Sequence, residues 1–198
     1  MLVLASSSPR RRQLLGEWGY IFDIIPADVS EELPADILPQ EGVKELAGRK
    51  ARYSFELWKE TKGTNNDIIL GADTIVVSDG KILGKPDNEE QAARMLASLS
   101  GRSHQVMTGI ALASQNDSGG CVVETEIEIS TVAFKKINEQ EIQNYIQTGE
   151  SMDKAGAYGI QGEASKFANL VEGSLTNVIG LPMELLKKKL GLSGVFPQ

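Results

Sequence analysis

The sequence predicts an α/β fold built on a mixed, twisted sheet that is flanked by helices. Short apolar segments typical of buried strands alternate along the chain with longer segments that have helical spacing. Such interleaving is typical of a sheet covered by helices. The chain has 198 residues, which is close to the usual size of one domain. We therefore expect residues 1–198 to form a single domain.

The individual elements follow from local patterns. Residues 2–5 are apolar throughout, which indicates a short buried strand, and Ser8 followed by Pro9 is typical of an N-cap before a helix over 9–18. Residues 155–162 are too rich in glycine for a helix interior. The other predicted elements are strands over 21–26, 67–77, 81–83, 105–113 and 122–136, and helices over 40–61, 89–99, 138–147 and 181–190.

Composition and charge restrict the class of protein. The net charge of −7 argues against binding to a nucleic acid backbone, although a local basic site for a small anion remains possible. A single cysteine, Cys121, cannot form an intramolecular disulfide, and the first residues lack the pattern of a secretory signal. No apolar run approaches the roughly 20 residues that span a bilayer. These features predict a cytoplasmic protein without nucleic acid or membrane partners.

Asp73 is the most informative single residue of the chain. It lies within the apolar run over 68–77, so its side chain is expected to be largely buried. A buried carboxylate without a partner costs several kcal/mol, so a metal ion, a cation or a hydrogen-bond network must accompany it. A structural aspartate satisfied by backbone amides is the alternative when Asp73 is considered alone. The basic residues described next favour a functional role.

Three arginines stand at the start of the first predicted helix, where basic residues are unfavourable because the helix N-terminus already carries partial positive charge. A bound anion nearby or a solvated basic turn would each explain them. Further basic residues stand beside glycine or proline at Gly48 and at Gly84, where we expect turns. Several such cations in one cleft would suit a triphosphate with Mg²⁺ or Mn²⁺. The basic residues concerned are Arg10, Arg11, Arg12, Arg49, Lys50 and Lys85.

Other site types find less support. The acidic loop with Glu31 and Glu32 offers hard oxygen ligands for a divalent cation, and a solvated loop is the alternative. His104 is the only histidine, so a zinc site with several histidines is impossible. Because the chain contains no nucleophile elbow, we expect His104 to be structural. Neither the phosphate loop of kinases nor the dinucleotide-binding glycine pattern occurs.

Six short sequence segments, spread over nearly the whole chain, match the motifs of one known family and follow one another in the order found in that family. They are LASSSPRR at 4–11, GADT at 71–74, GKP at 84–86, LSGRSH at 99–104, MDKAGAYGIQG at 152–162 and GLP at 180–182. Together they resemble the Maf family of nucleotide pyrophosphatases, which is related in fold to the inosine triphosphate pyrophosphatases. The resemblance implies a central substrate cleft and hydrolysis of a nucleoside triphosphate to monophosphate and pyrophosphate.

The resemblance also implies roles for individual residues. Asp73 corresponds to the family's proton acceptor, and the positions that discriminate between substrates fall on Arg10, Thr74 and Gln161. This combination resembles the branch that prefers dTTP and UTP to 7-methyl-GTP. The amide of Gln161 both donates and accepts, so it could match N3–H and a carbonyl of uracil or thymine.

The resulting hypothesis assigns a role to each charged group. Arg10, Arg11, Lys50 and Lys85 bind the triphosphate together with the backbone amides of Ser6 to Ser8 at the helix N-terminus. The carboxylates of Glu31, Glu32 and Asp73 hold Mg²⁺ or Mn²⁺, and Asp73 serves as proton acceptor or chiefly as metal ligand. A non-catalytic nucleotide-binding regulator of cell division and a phosphatase that releases orthophosphate are the competing hypotheses. A homodimer is compatible with all three.

Overall fold

The computed structural model describes residues 1–34, 36–61 and 66–197. Its strands and helices alternate along the chain as the sequence predicts, so the α/β class is confirmed. The strands are β1 (Leu2–Leu4), β2 (Phe22–Ile24), β3 (Ile68–Ser78), β4 (Lys81–Leu83), β5 (Ser103–Gln115), β6 (Cys121–Phe134) and β7 (Ala168–Glu172). The α-helices are α1 (Pro9–Glu17), α2 (Pro39–Thr61), α3 (Glu89–Leu99), α4 (Glu139–Ile146), α5 (Leu175–Ile179) and α6 (Met183–Leu192).

The strands form one mixed sheet of seven strands in the described residues, in the order β2-β1-β3-β5-β6-β7, with β4 paired to β3. Strand β1 is parallel to both β2 and β3. Strands β4 and β7 are antiparallel to β3 and β6, respectively. This combination of directions confirms the mixed sheet that the sequence predicts.

The predicted start of the first helix is confirmed, whereas the turn expected at Gly48 is wrong. Ser8 is extended at the N-cap position and Pro9 begins α1, but the Ser8 side chain makes no capping hydrogen bond. Gly48 does not form a turn, because it is buried in the middle of α2. Strand β7 and helix α5 were not predicted, and the glycine-rich segment over 155–162 contains a short 3₁₀ turn at Ala155–Ala157. None of the helices described in the three ranges is long and apolar enough to cross a membrane.

The chain divides into two compact units. The first comprises Met1–Asp73, Thr108–Glu128 and Gly180–Gln198, and the second comprises Thr74–Met107 and Ile129–Ile179. The first unit has a core in which Ala47, Ala51 and Phe55 of α2 pack with Val3 and Ile69 of the sheet. The expectation of a single domain over residues 1–198 stays a prediction.

Glycines let α2 lie directly on the sheet in the first unit. A Cβ atom at Gly71 of β3 would lie 2.3 Å from the carbonyl oxygen of Ala47, and one at Gly109 of β5 would lie 2.5 Å from that of Val43. No larger residue fits at either position without moving the helix backbone. Since side chains two residues apart share a face of a strand, Asp73 points to the same side as Gly71. The glycine therefore brings α2 close to Asp73.

We expect Gly71→Ala to lower the free energy of unfolding by about 1–3 kcal/mol or more, because the added methyl group overlaps the α2 backbone. Urea unfolding followed by circular dichroism measures the change. Gly16→Ala is the matched control: a Cβ atom at Gly16 in α1 meets nothing within 4 Å, so this helical substitution should leave stability unchanged or raise it by up to about 1 kcal/mol. Equal stability of both variants would contradict the close contact at Gly71.

The second unit contains an aromatic cluster around the only histidine. The Nε2 atom of His104 is 2.7 Å from the hydroxyl of Tyr158, and the ring makes edge contacts with Phe134 and Tyr158 at centroid distances of 5.1 and 5.3 Å. Burial lowers the pKa of His104 to about 4. The imidazole is therefore neutral and packed at neutral pH, which agrees with the structural role expected for it.

This pKa shift predicts a pH dependence of stability. The pKa of His104 is 6.5 in the unfolded chain and about 4 in the folded protein. Between these pH values, the unfolded chain therefore binds a proton at His104 that the folded protein does not bind. The stabilising contribution is complete above pH 6.5 and is lost as the pH falls towards 4, by about 3 kcal/mol in total. His104→Gln keeps a partner for Tyr158 but does not titrate. Chemical unfolding should therefore show a steeper pH dependence for wild type than for His104→Gln, and identical slopes would contradict the prediction.

Candidate active site

Asp73 is buried at the point where β3 leaves the first unit, and its charge is paired. Its Oδ1 atom is 2.6 Å from Nζ of Lys50, and both side chains are 12% exposed. Lys50 lies in the middle of α2, which reaches Asp73 because of the close contact at Gly71. The structure thus supplies the cation that burial of this carboxylate requires.

The acidic loop between β2 and α2 meets the same lysine. Oε1 of Glu31 is 2.6 Å from Nζ of Lys50, so one ammonium group holds two carboxylates. Glu32 is exposed, and it is the backbone carbonyl of this residue that accepts a hydrogen bond from Arg49. The structure therefore brings Glu31 and Asp73 together through Lys50, while a metal-binding role for Glu32 stays a prediction.

The start of α1 is held by hydrogen bonds that involve Ser6 and Arg11. The buried Ser6 hydroxyl oxygen accepts hydrogen bonds from the Ser8 amide and from Nη1 of Arg11, each at 3.2 Å. Arg11 also donates through Nε to the carbonyl of Gly180 at 2.8 Å. Its guanidinium is thus fixed in position beside the helix N-terminus. Arg11 orders the segments around it as well as adding positive charge.

Electrostatic effects on Arg11 connect α1 with the carboxylates. Burial is the largest effect on the pKa of Arg11, and it lowers this pKa. The negative charges of Asp73 and Glu31 act to raise it, and the positive charge of Arg10 acts to lower it. These groups therefore lie within electrostatic reach of one another. Arg10 itself is half-buried. The first unit accordingly combines Arg10, Arg11 and Lys50 with two carboxylates, a set of charges suited to an anion and a cation together.

The carboxylates also suit a divalent cation that is shared with a phosphate ligand. Within residues 1–34, 36–61 and 66–197, no group of three or more His, Cys, Asp or Glu side chains could hold a metal ion. Mg²⁺, however, commonly binds to one or two carboxylates, water and phosphate oxygens. Glu31 and Asp73 already converge on one positively charged atom. Their hard oxygen atoms therefore fit such a cation.

Three predicted site residues belong to the second unit. Thr74 follows Asp73 on β3 and is half-buried, Lys85 is exposed after β4, and Gln161 is exposed just before the 3₁₀ turn Gly162–Lys166. Within this unit, the Gly156 amide donates to the carbonyl of Gly84 at 3.0 Å. That hydrogen bond joins the segment next to Lys85 to the glycine-rich segment that leads to Gln161.

Two contacts of the site, with the Ser6 hydroxyl and the Gly180 carbonyl, were not predicted from the sequence, although both residues belong to motifs that were recognised. Ser6 lies in the segment over 4–11, and its hydroxyl organises Ser8 and Arg11. Gly180 begins the GLP segment, and its carbonyl binds Arg11 from 169 positions further along the chain. The phosphate-binding role expected for the backbone amides around Ser8 stays a prediction.

Comparison with known proteins adds independent information. The model of a family described as "Maf-like protein" matches residues 1–192. Three relatives named dTTP/UTP pyrophosphatase are 50% identical in Desulfitobacterium hafniense (98% of this chain, 86% of the relative), 48% in Thermococcus kodakarensis (95% and 94%) and 41% in Bacillus pumilus (99% and 98%).

A solved structure from Mycobacterium abscessus, titled as a nucleoside-triphosphatase and dITP/XTP pyrophosphatase, is 19% identical. Its TM-score is 0.35, with 67% of this chain and 74% of that chain covered. A similarity of this size indicates nothing further about fold or function.

The fold and the charged site define a class of α/β protein with an anion-binding site. This site consists of a buried carboxylate, a lysine and an arginine-rich helix start. The match over residues 1–192 and identities of 41–50% assign it more narrowly. The chain belongs to the Maf family.

Proposed function

We propose that this chain hydrolyses dTTP and UTP to the nucleoside monophosphate and pyrophosphate. The observation that carries the proposal is the pairing of Lys50 with both Asp73 and Glu31 at 2.6 Å. It provides a buried acceptor for a proton next to a cation that can contact phosphate. The names of relatives 41–50% identical to this chain support the choice of substrates.

In the proposed reaction, water attacks the α-phosphorus and the bond to the oxygen that bridges the α and β phosphates breaks. A carboxylate oxygen of Asp73 takes the proton of the water, and Lys50 orients that carboxylate. Arg10, Arg11 and Lys85 neutralise negative charge on the triphosphate and on the departing pyrophosphate. Backbone amides around Ser8, where α1 lacks a side-chain cap, receive a phosphate group.

Glu31, Asp73 and Glu32 are the residues proposed to hold Mg²⁺ or Mn²⁺. When bound, such a cation supplies Lewis-acid neutralisation of phosphate charge. A function for Asp73 chiefly as metal ligand is the alternative to its function as base. The cytoplasmic location, the homodimer and the absence of nucleic acid and membrane partners remain predictions.

Product identity tests the function. With Mn²⁺ present, we expect ³¹P NMR to show pyrophosphate together with dTMP or UMP as the first products from dTTP or UTP. Orthophosphate with the nucleoside diphosphate would instead identify a phosphatase. Saturable binding of dTTP without turnover would favour the nucleotide-binding regulator.

Base selection gives a separate prediction. If Gln161 pairs with the pyrimidine edge, Gln161→Ala leaves polar atoms of the base without partners and costs roughly 1–3 kcal/mol of discrimination. We expect kcat/KM to fall for dTTP and UTP relative to a purine triphosphate. Because Gln161 is exposed, the melting temperature should change little. Gln143→Ala, at an exposed position of α4, is the control, and equal losses on every nucleotide would contradict base recognition by Gln161.

A further inference from the structure

Arg49 holds the backbone on both sides of Glu31. Its Nη1 atom donates to the carbonyl of Ser30 at 3.1 Å and to the carbonyl of Glu32 at 2.7 Å. The next residue along α2, Lys50, binds the Glu31 carboxylate itself. Adjacent residues of one helix therefore fix the backbone and the side chain of the same loop position.

Two further contacts support this geometry. The Nε atom of Arg49 donates to Oε1 of Glu45 at 3.0 Å, one helical turn earlier, which orients the guanidinium along α2. The Glu32 amide donates to the hydroxyl oxygen of Ser30 at 3.2 Å, so the loop forms a local turn around Glu31. The planar guanidinium makes these contacts through two nitrogen atoms, Nε to Glu45 and Nη1 to both carbonyls, whereas a lysine ammonium has a single nitrogen atom.

The loop needs such a restraint. It is acidic, with Asp28 close to Glu31 and Glu32 in sequence, and the Glu31 side chain is 56% exposed. An exposed ion pair holds a long side chain only weakly, because its charges are screened and its ordering costs entropy. The contact between Lys50 and Glu31 is thus a weak restraint on this carboxylate, and the hydrogen bonds from Arg49 to the loop backbone add a second one.

We propose that Arg49 is a positioning residue that acts through Glu31 to set the affinity of the site for a divalent cation. The inference rests on the proposed function for the identity of the metal-holding carboxylates. Arg49 itself contacts neither substrate nor metal in this proposal. Residues that orient metal ligands from outside commonly change metal affinity 10- to 100-fold when they are replaced.

Binding of Mn²⁺ alone, followed by the EPR signal of the free ion, tests the proposal without any turnover. We expect the Kd for Mn²⁺ to rise about 10-fold in Arg49→Ala and less in Arg49→Lys, which keeps the charge but has a single nitrogen atom. Arg94→Ala is the matched control, because Arg94 also pairs with a glutamate one helical turn earlier, Glu90 on α3. Its Kd should equal that of wild type.

A double-mutant cycle shows whether Arg49 acts through Glu31. If it does, the combination of Arg49→Ala with Glu31→Gln should bind Mn²⁺ as Glu31→Gln alone does. A merely structural effect of Arg49 would instead add to that of Glu31. Additive losses, an unchanged Kd in Arg49→Ala, or no Mn²⁺ binding by wild type would each overturn the proposal.

The outcome is separable from that of the proposed function. A wild-type protein that binds Mn²⁺ with the expected dependence on Arg49 but releases no pyrophosphate from dTTP or UTP would refute the function alone. If wild type releases pyrophosphate but Arg49→Ala binds Mn²⁺ with the same Kd as wild type, the positioning role alone would be refuted.

Discussion

Replacing Asp73 with asparagine should reduce turnover of dTTP and UTP by about 100-fold or more. Asparagine has the size and shape of aspartate but can neither accept the proton nor bind a cation with full charge. The paired Lys50, 2.6 Å away in wild type, would remain. Steady-state release of pyrophosphate measures the effect, and near-normal turnover in a folded variant would refute the catalytic assignment.

Asp67→Asn is the matched control for this substitution. Asp67 is also a buried carboxylate, six positions earlier, but it accepts hydrogen bonds from the Met1 ammonium and from Nε1 of Trp58, each at 2.8 Å. Its partners are structural, so the variant should unfold at a lower urea concentration while the folded protein retains turnover. If Asp67→Asn lost as much turnover as Asp73→Asn, the loss would reflect burial of charge in general.

Replacing Lys50 with methionine should lower turnover by about 100-fold and at the same time tighten Mn²⁺ binding. Turnover falls because a fixed cation next to the phosphate and to Asp73 is lost. Affinity for Mn²⁺ rises because the ammonium that neutralises Glu31 and Asp73 no longer competes for these carboxylates. The two effects have opposite signs, whereas unfolding would weaken both functions.

Lys59→Met provides the comparison on the same helix. Lys59 donates to the carbonyl of Gly119, away from the carboxylates that bind Lys50, so turnover and Mn²⁺ affinity should both match wild type. Weaker Mn²⁺ binding in Lys50→Met than in Lys59→Met would show that the lysine helps to hold the cation. In that case the competition between lysine and metal would be refuted.

Elements with strong local signals were predicted closely. The helix over 89–99 coincides with α3, which begins after Asn88, whose side chain accepts from the Gln91 amide. By contrast, β7 and α5 depend on distant partners. Strand β7 pairs with β6, and in α5 the amide of Asn177 donates to the carbonyl of Val106 and to the hydroxyl of Ser130. These partners are distant from residues 168–179 in sequence, so the local sequence pattern does not indicate the contacts.

For the candidate site, too, some features were predictable from the sequence and others depended on the tertiary structure. An aspartate inside an apolar strand requires a metal ion, a cation or a hydrogen-bond network, since burial of a lone carboxylate is too costly. The sequence alone therefore determined that Asp73 needs a partner. Which cation meets it was decided by tertiary structure, because Gly71 lets α2 approach β3 until Lys50 reaches the carboxylate. The hold of Arg49 on the carbonyls around Glu31 likewise depends on backbone atoms, whose positions no pattern of side chains specifies.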